Sequence, residues 1–206
     1  MALDTFAGLK ATIADYLNRD DLTSVIPSFI TIAEAKFNRK LRVRQMVKRS
    51  TASLDTQFFA YPSDWLQAKE FQLNTNPIVR LEFVTEAYGD ELKANSYIAT
   101  GKPIYYTIIG TQIEVIPSPD ATYTGELTYY AKIPALSDSN TSNWLLTYAP
   151  DLYLYGALLE ATPYLKDDER LGTWSQLYIN SLSDIEIADQ RASVSSTPVV
   201  RARSLG

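Results

Sequence analysis

The run Asn143–Ala192, NWLLTYAPDLYLYGALLEATPYLKDDERLGTWSQLYINSLSDIEIADQRA, decides the fold class of this 206-residue chain. It reads as two helices rich in Tyr, Trp and Leu. Asp151 falls in a first turn after Pro150, and Leu152, Tyr155 and Leu159 line one face until Pro163 stops or kinks the helix. The next helix opens on Asp167, Asp168 and Glu169, charges that suit a helix N-terminus, and carries Leu171, Trp174, Tyr178, Leu182 and Ile185 at spacings of three and four. The chain has no histidine and no cysteine. So aromatic a helix pair in such a chain points to packing against other subunits.

Working back to the N-terminus, Phe6, Leu9, Ile13 and Tyr16 share one face of an amphipathic helix that ends near Asn18-Arg19-Asp20-Asp21. A second helix starts between Ser24 and Pro27, with Phe29, Ala33, Phe37 and Leu41 as its apolar stripe. From about Gln45 the period shortens. Val47–Leu54, Leu66–Leu73 and Ile78–Val84 alternate like strands between turn formers, and Ile104–Ile109 and Gln112–Ile116 flank Gly110-Thr111 as a hairpin. Leu127, Tyr129 and Ala131 alternate with Glu126, Thr128, Tyr130 and Lys132, a half-buried strand. Thr85–Asn95 reads as a short inserted helix despite Gly89. The expected fold is α+β: a helical bundle of N- and C-terminal helix pairs, residues 1–45 and 137–192, around a β-rich insert, 46–136. An extended arm, 193–206, has no periodicity and reads as a segment that orders on a partner.

Composition excludes much. Without histidine and cysteine there is no imidazole base, thiolate nucleophile, disulfide framework or thiolate zinc site. The glycines never group into a phosphate cradle, so no cofactor and no catalytic or metal-binding residues are expected. No segment resembles a signal peptide or a membrane span, so a soluble intracellular product with no membrane partner is expected. The formal charge is −5, yet Lys36, Arg39, Lys40, Arg42, Arg44, Lys48 and Arg49 follow one another without an intervening acid. That run reads either as a phosphate-binding patch or as a helix end and interface pairing with acids. The fourteen tyrosines read as core or interface side chains, with single-strand stacking as the competing use. Arg39, Arg42, Arg44, Trp174 and Tyr178 are the subunit-interface candidates.

The succession Tyr61-Pro62-Ser63-Asp64-Trp65-Leu66, Gly101-Lys102-Pro103 running into Ile113-Glu114-Val115-Ile116-Pro117, Leu127–Pro134, Pro150–Ala161 and Trp174–Arg191 resembles the head-to-tail adaptor proteins of tailed phages, especially the type called tail tubular protein A in short-tailed phages. The likeness spans about Thr5 to Ala192. It implies a structural virion protein of the tail neck, made in the host cytoplasm. Such a protein would form a dodecameric ring that joins the portal protein to the tail nozzle, offers tail fibres a docking place and lets genomic DNA pass without specific binding. It also implies that a C-terminal arm reaches the portal, which makes Val199, Val200, Arg201 and Arg203 the portal-contact candidates here. A ring needs heterologous contacts, and a basic segment on an acidic body can set neighbour orientation. The basic run is accordingly expected to face a neighbour or the portal, away from the DNA channel.

Two other readings compete. One is a phage tail-associated polysaccharide or cell-wall hydrolase using carboxylates such as Glu160, Asp168 and Glu169. The other is a single-strand nucleic-acid binder built on the basic run and the tyrosines, which the acidic net charge disfavours.

Overall fold

The computed structural model describes residues 3–19, 21–95, 100–165 and 169–193. It is mixed α+β, with six α-helices and two four-stranded sheets among the described residues. Two compact units share the chain, residues 46–132 forming one and residues 1–45 with 133–206 the other.

In the helical unit, α1 (Phe6–Leu17) starts at Thr5, whose hydroxyl accepts from the Gly8 amide at 3.1 Å, and stops at Asn18 in the left-handed conformation. Its buried stripe is Phe6, Leu9, Ile13 and Leu17; Tyr16, expected on that face, is 44% exposed. Helix α2 (Ile26–Lys40) carries Pro27 in its first turn, where a missing donor is harmless, and buries Phe29, Ala33 and Phe37 as expected.

The C-terminal run is more broken than its sequence suggests. Asn143 caps a short helix, α4 (Trp144–Tyr148), by accepting from the Leu146 amide at 2.8 Å. Ala149, at φ −139° and ψ 70°, then interrupts it before α5 (Pro150–Ala161). The residue before a proline is driven out of the helical region, so α5 begins at Pro150 as read and α4 is a further helix ahead of it. Helix α5 packs against α1, α2, α4 and α6 (Leu171–Ser193). It buries Leu152, Tyr153, Leu154, Gly156, Ala157, Leu158 and Ala161, the all-round burial of a central helix. Tyr155 and Leu159, expected to lead its apolar face, are only half-buried. On α6, Trp174, Tyr178 and Ile185 are buried, whereas Leu171 is 43% exposed. Asp167 and Asp168, read as the start of that helix, lie outside the described residues, and Glu169 sits in the turn before it.

A polar knot ties this unit together. Glu34, an acid set among the apolar residues of α2, is 5% exposed and accepts hydrogen bonds from the Leu136 amide (2.9 Å) and the Tyr153 hydroxyl (3.0 Å). Tyr153 in turn accepts from Asn143 Nδ2 at 2.7 Å. Burial raises the Glu34 carboxyl above its ordinary value of 4.5, and the two donors offset that only in part. The folded chain therefore holds this proton more tightly than the unfolded one. Its contribution to stability is fully present below 4.5 and is lost as pH rises through the raised folded value. Glu34→Gln keeps an acceptor for both donors without the charge. Its unfolding midpoint is expected to fall less steeply than the parent's between pH 4.5 and neutrality. Parallel pH profiles in denaturant titrations would count against a buried, proton-holding Glu34.

In the β unit, β1 (Val47–Leu54), β8 (Tyr123–Ala131), β3 (Trp65–Leu73) and β4 (Val79–Arg80) form one sheet in that order. The second runs β2 (Phe58–Ala60), β7 (Gln112–Ile116), β6 (Tyr105–Ile109) and β5 (Glu82–Phe83), with β5 parallel to β6. Gly110, at φ +58°, makes the β6–β7 turn. The expected single strand Ile78–Val84 is two short strands, one in each sheet. Leu54, Phe71, Leu73, Leu127, Tyr129 and Ala131 from the first sheet meet Tyr106, Ile113 and Val115 from the second in one core. Helix α3 (Glu86–Asn95) lies on that second sheet. A Cβ on its Gly89 would come within 2.9 Å of Ile116 Cδ1, so close approach explains a glycine inside a helix.

Candidate functional site

The helical unit holds an open cleft of about 260 Å³ between α2, α5 and α6, lined by Ala33, Lys36, Phe37, Arg39, Lys40, Gly156, Leu159, Glu160 and Tyr178. Its shape follows from small residues. A Cβ on Gly156 would lie 2.8 Å from Phe37 Cζ, so the glycine lets the Phe37 ring press onto α5. Phe37 packs edge-on to Tyr153 (centroids 5.2 Å apart) and stacks on Tyr178 (6.4 Å), giving the cleft an aromatic floor. Lys36 is bonded to Glu160, while Lys40 Nζ lies 5.4 Å from the centre of the Tyr178 ring. Burial raises the Tyr178 phenol above its ordinary 10.0, Glu160 pushes the same way and Arg39 opposes it. At neutral pH Tyr178 is a neutral hydroxyl able to donate.

Much of the basic run is already engaged within its own unit. Arg42 donates to the Asn38 and Leu41 carbonyls at 2.9 and 2.6 Å, closing the end of α2. Arg44 meets Asp189 of α6 through its backbone amide at 3.0 Å and its Nε at 3.6 Å. In the β unit Lys48 reaches Asp64 at 2.6 Å, and Arg49 pairs with Glu126. Arg39 and Lys40 stand exposed on the cleft rim. Of the other interface candidates, Trp174 is 4% exposed beneath the Arg170 guanidinium (4.8 Å to its centroid), and Tyr178 is 7% exposed, so both spend most of their surface inside the unit. The exposed apolar side chains of α6 are Leu171, Ile179 and Ile187. Val199, Val200, Arg201 and Arg203 lie outside the described residues.

Tyr61–Leu66 forms a corner of the β unit. Tyr61 stacks on Trp65 at 4.4 Å, and Asp64 accepts from Tyr129 Oη at 2.8 Å as well as from Lys48. Burial opposes ionisation of Asp64, but Lys48 and Tyr129 outweigh it and hold its carboxyl below the ordinary range. Burial, together with Asp64, pushes the Tyr129 phenol up to about 12. These are structural pairings that join β1, β3 and β8.

Glu160 is tied to Lys36, Glu169 sits in the turn before α6, and Asp168 lies outside the described residues. Among the described residues no group of three or more His, Cys, Asp or Glu is placed to hold a metal ion, and no helix is long and apolar enough to cross a membrane. Sequence reasoning singled out neither Glu34 nor Tyr153, but it read Gly156 as a turn or close-packing position, and its approach to Phe37 agrees. The one signal available was an acid lying on the apolar stripe of α2, between Ala33 and Phe37.

The family model of the SU10 adaptor protein matches residues 4–202. The search of curated proteins finds no match. The chain belongs to the SU10 adaptor family: it is a phage head-to-tail adaptor, a structural component of the virion.

Proposed function

We propose that this adaptor joins the portal protein to the tail nozzle as one subunit of a closed, dodecameric ring, forms part of the DNA ejection conduit and catalyses no reaction. The family match across residues 4–202 carries the reading. In this account residues 1–45 and 137–192 are the helical bundle of the ring, residues 46–136 are its β-rich insert and 193–206 is the arm. Packing of α5 against α1, α2 and α6 supports the bundle. Val199, Val200, Arg201 and Arg203 on the arm contact the portal, and tail fibres dock on the assembled neck. Arg39, Arg42 and Arg44, with the α6 surface around Trp174 and Tyr178, face a neighbouring subunit. DNA slides past without specific binding, because the net charge of −5 repels phosphate. Host cytoplasm is the place of synthesis.

The test is genetic and biochemical together. Phage lacking this chain are expected to yield DNA-filled heads without tails, and purified protein added to those heads together with free tail parts is expected to restore infectious particles. Normally tailed particles from the deletion would overturn the reading.

A further inference from the structure

Tyr178 is a buried donor without an acceptor. The residue is 7% exposed, lines the α2–α5–α6 cleft, and its hydroxyl has no hydrogen-bond partner among the described residues. The hydroxyl is itself closed to solvent, so Tyr178 serves the cleft as part of its aromatic wall, stacked on Phe37. Around it stand cations: Arg39 and Lys40 on the rim, and Lys36 already neutralising Glu160. A volume of about 260 Å³ lies below the roughly 300–1,000 Å³ of small-molecule sites, so the cleft suits one or two side chains better than a nucleotide. Excess positive charge and an aromatic floor together specify a carboxylate carried beside an apolar residue.

The same chain carries that combination on its other unit. Gly89 turns the inner side of α3 onto Ile116, which sets Ala87, Tyr88 and Glu91 outward. Tyr88 is 47% exposed, three residues before the exposed Glu91, and two such residues share one side of a helix. Exposed Glu86 and Glu82, with Phe83 at 57%, extend the acidic and aromatic character of this edge.

We propose that the cleft of one copy receives the Tyr88–Glu91 face of α3 from a second copy, with the Glu91 carboxylate pairing with Arg39 and Lys40. This rests on the adaptor reading above and names the subunit contact within it. The two surfaces differ, so every copy offers both, and the association runs head to tail as ring closure requires. Opposite charge fixes which face meets which. A heterologous contact of this kind also explains why the chain keeps Arg39 and Lys40 exposed when Arg42, Arg44, Lys48 and Arg49 are turned to partners in their own units.

The absence of cysteine makes a direct test possible. Ala35→Cys and Ala87→Cys place thiols at exposed sites beside the two surfaces without touching a proposed contact. A short bis-maleimide applied to purified particles carrying the double variant is expected to give a ladder of linked multimers, and either single variant is expected to give none. Glu91→Lys should abolish the ladder, and Arg39→Glu with Lys40→Glu added to it should restore part. Particles that contain the protein yet give no ladder would overturn this contact and leave the adaptor role standing. Particles that lack the protein would overturn both.

Discussion

Tyr153→Ala is expected to destabilise the helical unit by about 5 kcal/mol, enough to unfold it at ambient temperature. Tyr153 is fully buried at the centre of α5, edge-on to Phe37. Truncating a buried aromatic ring costs about 3–5 kcal/mol through lost transfer energy and the cavity left behind. The hydroxyl adds to this. It donates to Glu34 and accepts from Asn143, so the truncation removes a donor from a buried carboxylate and an acceptor from a buried amide, about 1–3 kcal/mol for each group left unsatisfied. Tyr153→Phe keeps the ring and isolates the polar part, with an expected loss of about 1–2 kcal/mol. Tryptophan emission reports on the helical unit through Trp144 and Trp174 and on the β unit through Trp65, so urea titrations of parent and variants can follow each unit. A Tyr153→Ala protein that unfolds at the parental midpoint would contradict the central place given to α5.

Lys93→Ala is expected to cost the β unit about 3 kcal/mol. Glu114, on β7, has a 1% exposed side chain and accepts from Lys93 Nζ and Gln57 Nε2, both at 2.7 Å. The Glu114 bond chiefly, with Asp90 at 2.9 Å, raises the Lys93 ammonium above its ordinary 10.5. That contribution is fully present below 10.5 and is lost as pH rises through the folded value. Removing the lysine strands a carboxylate in an apolar interior with one amide donor, and breaking such a pair from one side costs about 3–5 kcal/mol; the low end applies because Lys93 is 35% exposed. Adding Glu114→Gln removes the stranded charge, so the double variant should be more stable than Lys93→Ala alone. If instead the two losses simply add, the pair is not coupled and the account of how α3 is held on its sheet is wrong.

The sequence was most legible where a local rule had no rival. Val47–Leu54 alternates only in part, yet it is a strand over those residues; Gly110 offers a positive φ and makes the expected hairpin; residues 127, 129 and 131 point inward as read. The α+β class followed from such elements. Misreadings arose where tertiary packing overrode the local pattern. Helix α5 is apolar on every side, so periodicity had no face to select and put forward Tyr155 and Leu159 ahead of Tyr153. Ile78–Val84 is divided between two sheets, a choice made by strand partners far away in sequence. The site was less legible still. The cations of the basic run were plain, but Lys36 meets Glu160 across 124 residues and Arg44 meets Asp189 across 145, separations at which no spacing rule operates. Which cations remain on the surface, and that Tyr178 lies beside them with an unpaired hydroxyl, depends on how α2, α5 and α6 come together.

The most direct measurement is electron microscopy of intact virions labelled with antibodies raised against this protein. The account predicts label at the neck, between the head and the tail, and a ring of density there that disappears in particles made without the chain. Label elsewhere on the virion, or an unchanged neck in particles made without it, would contradict the claim that this chain is the joint.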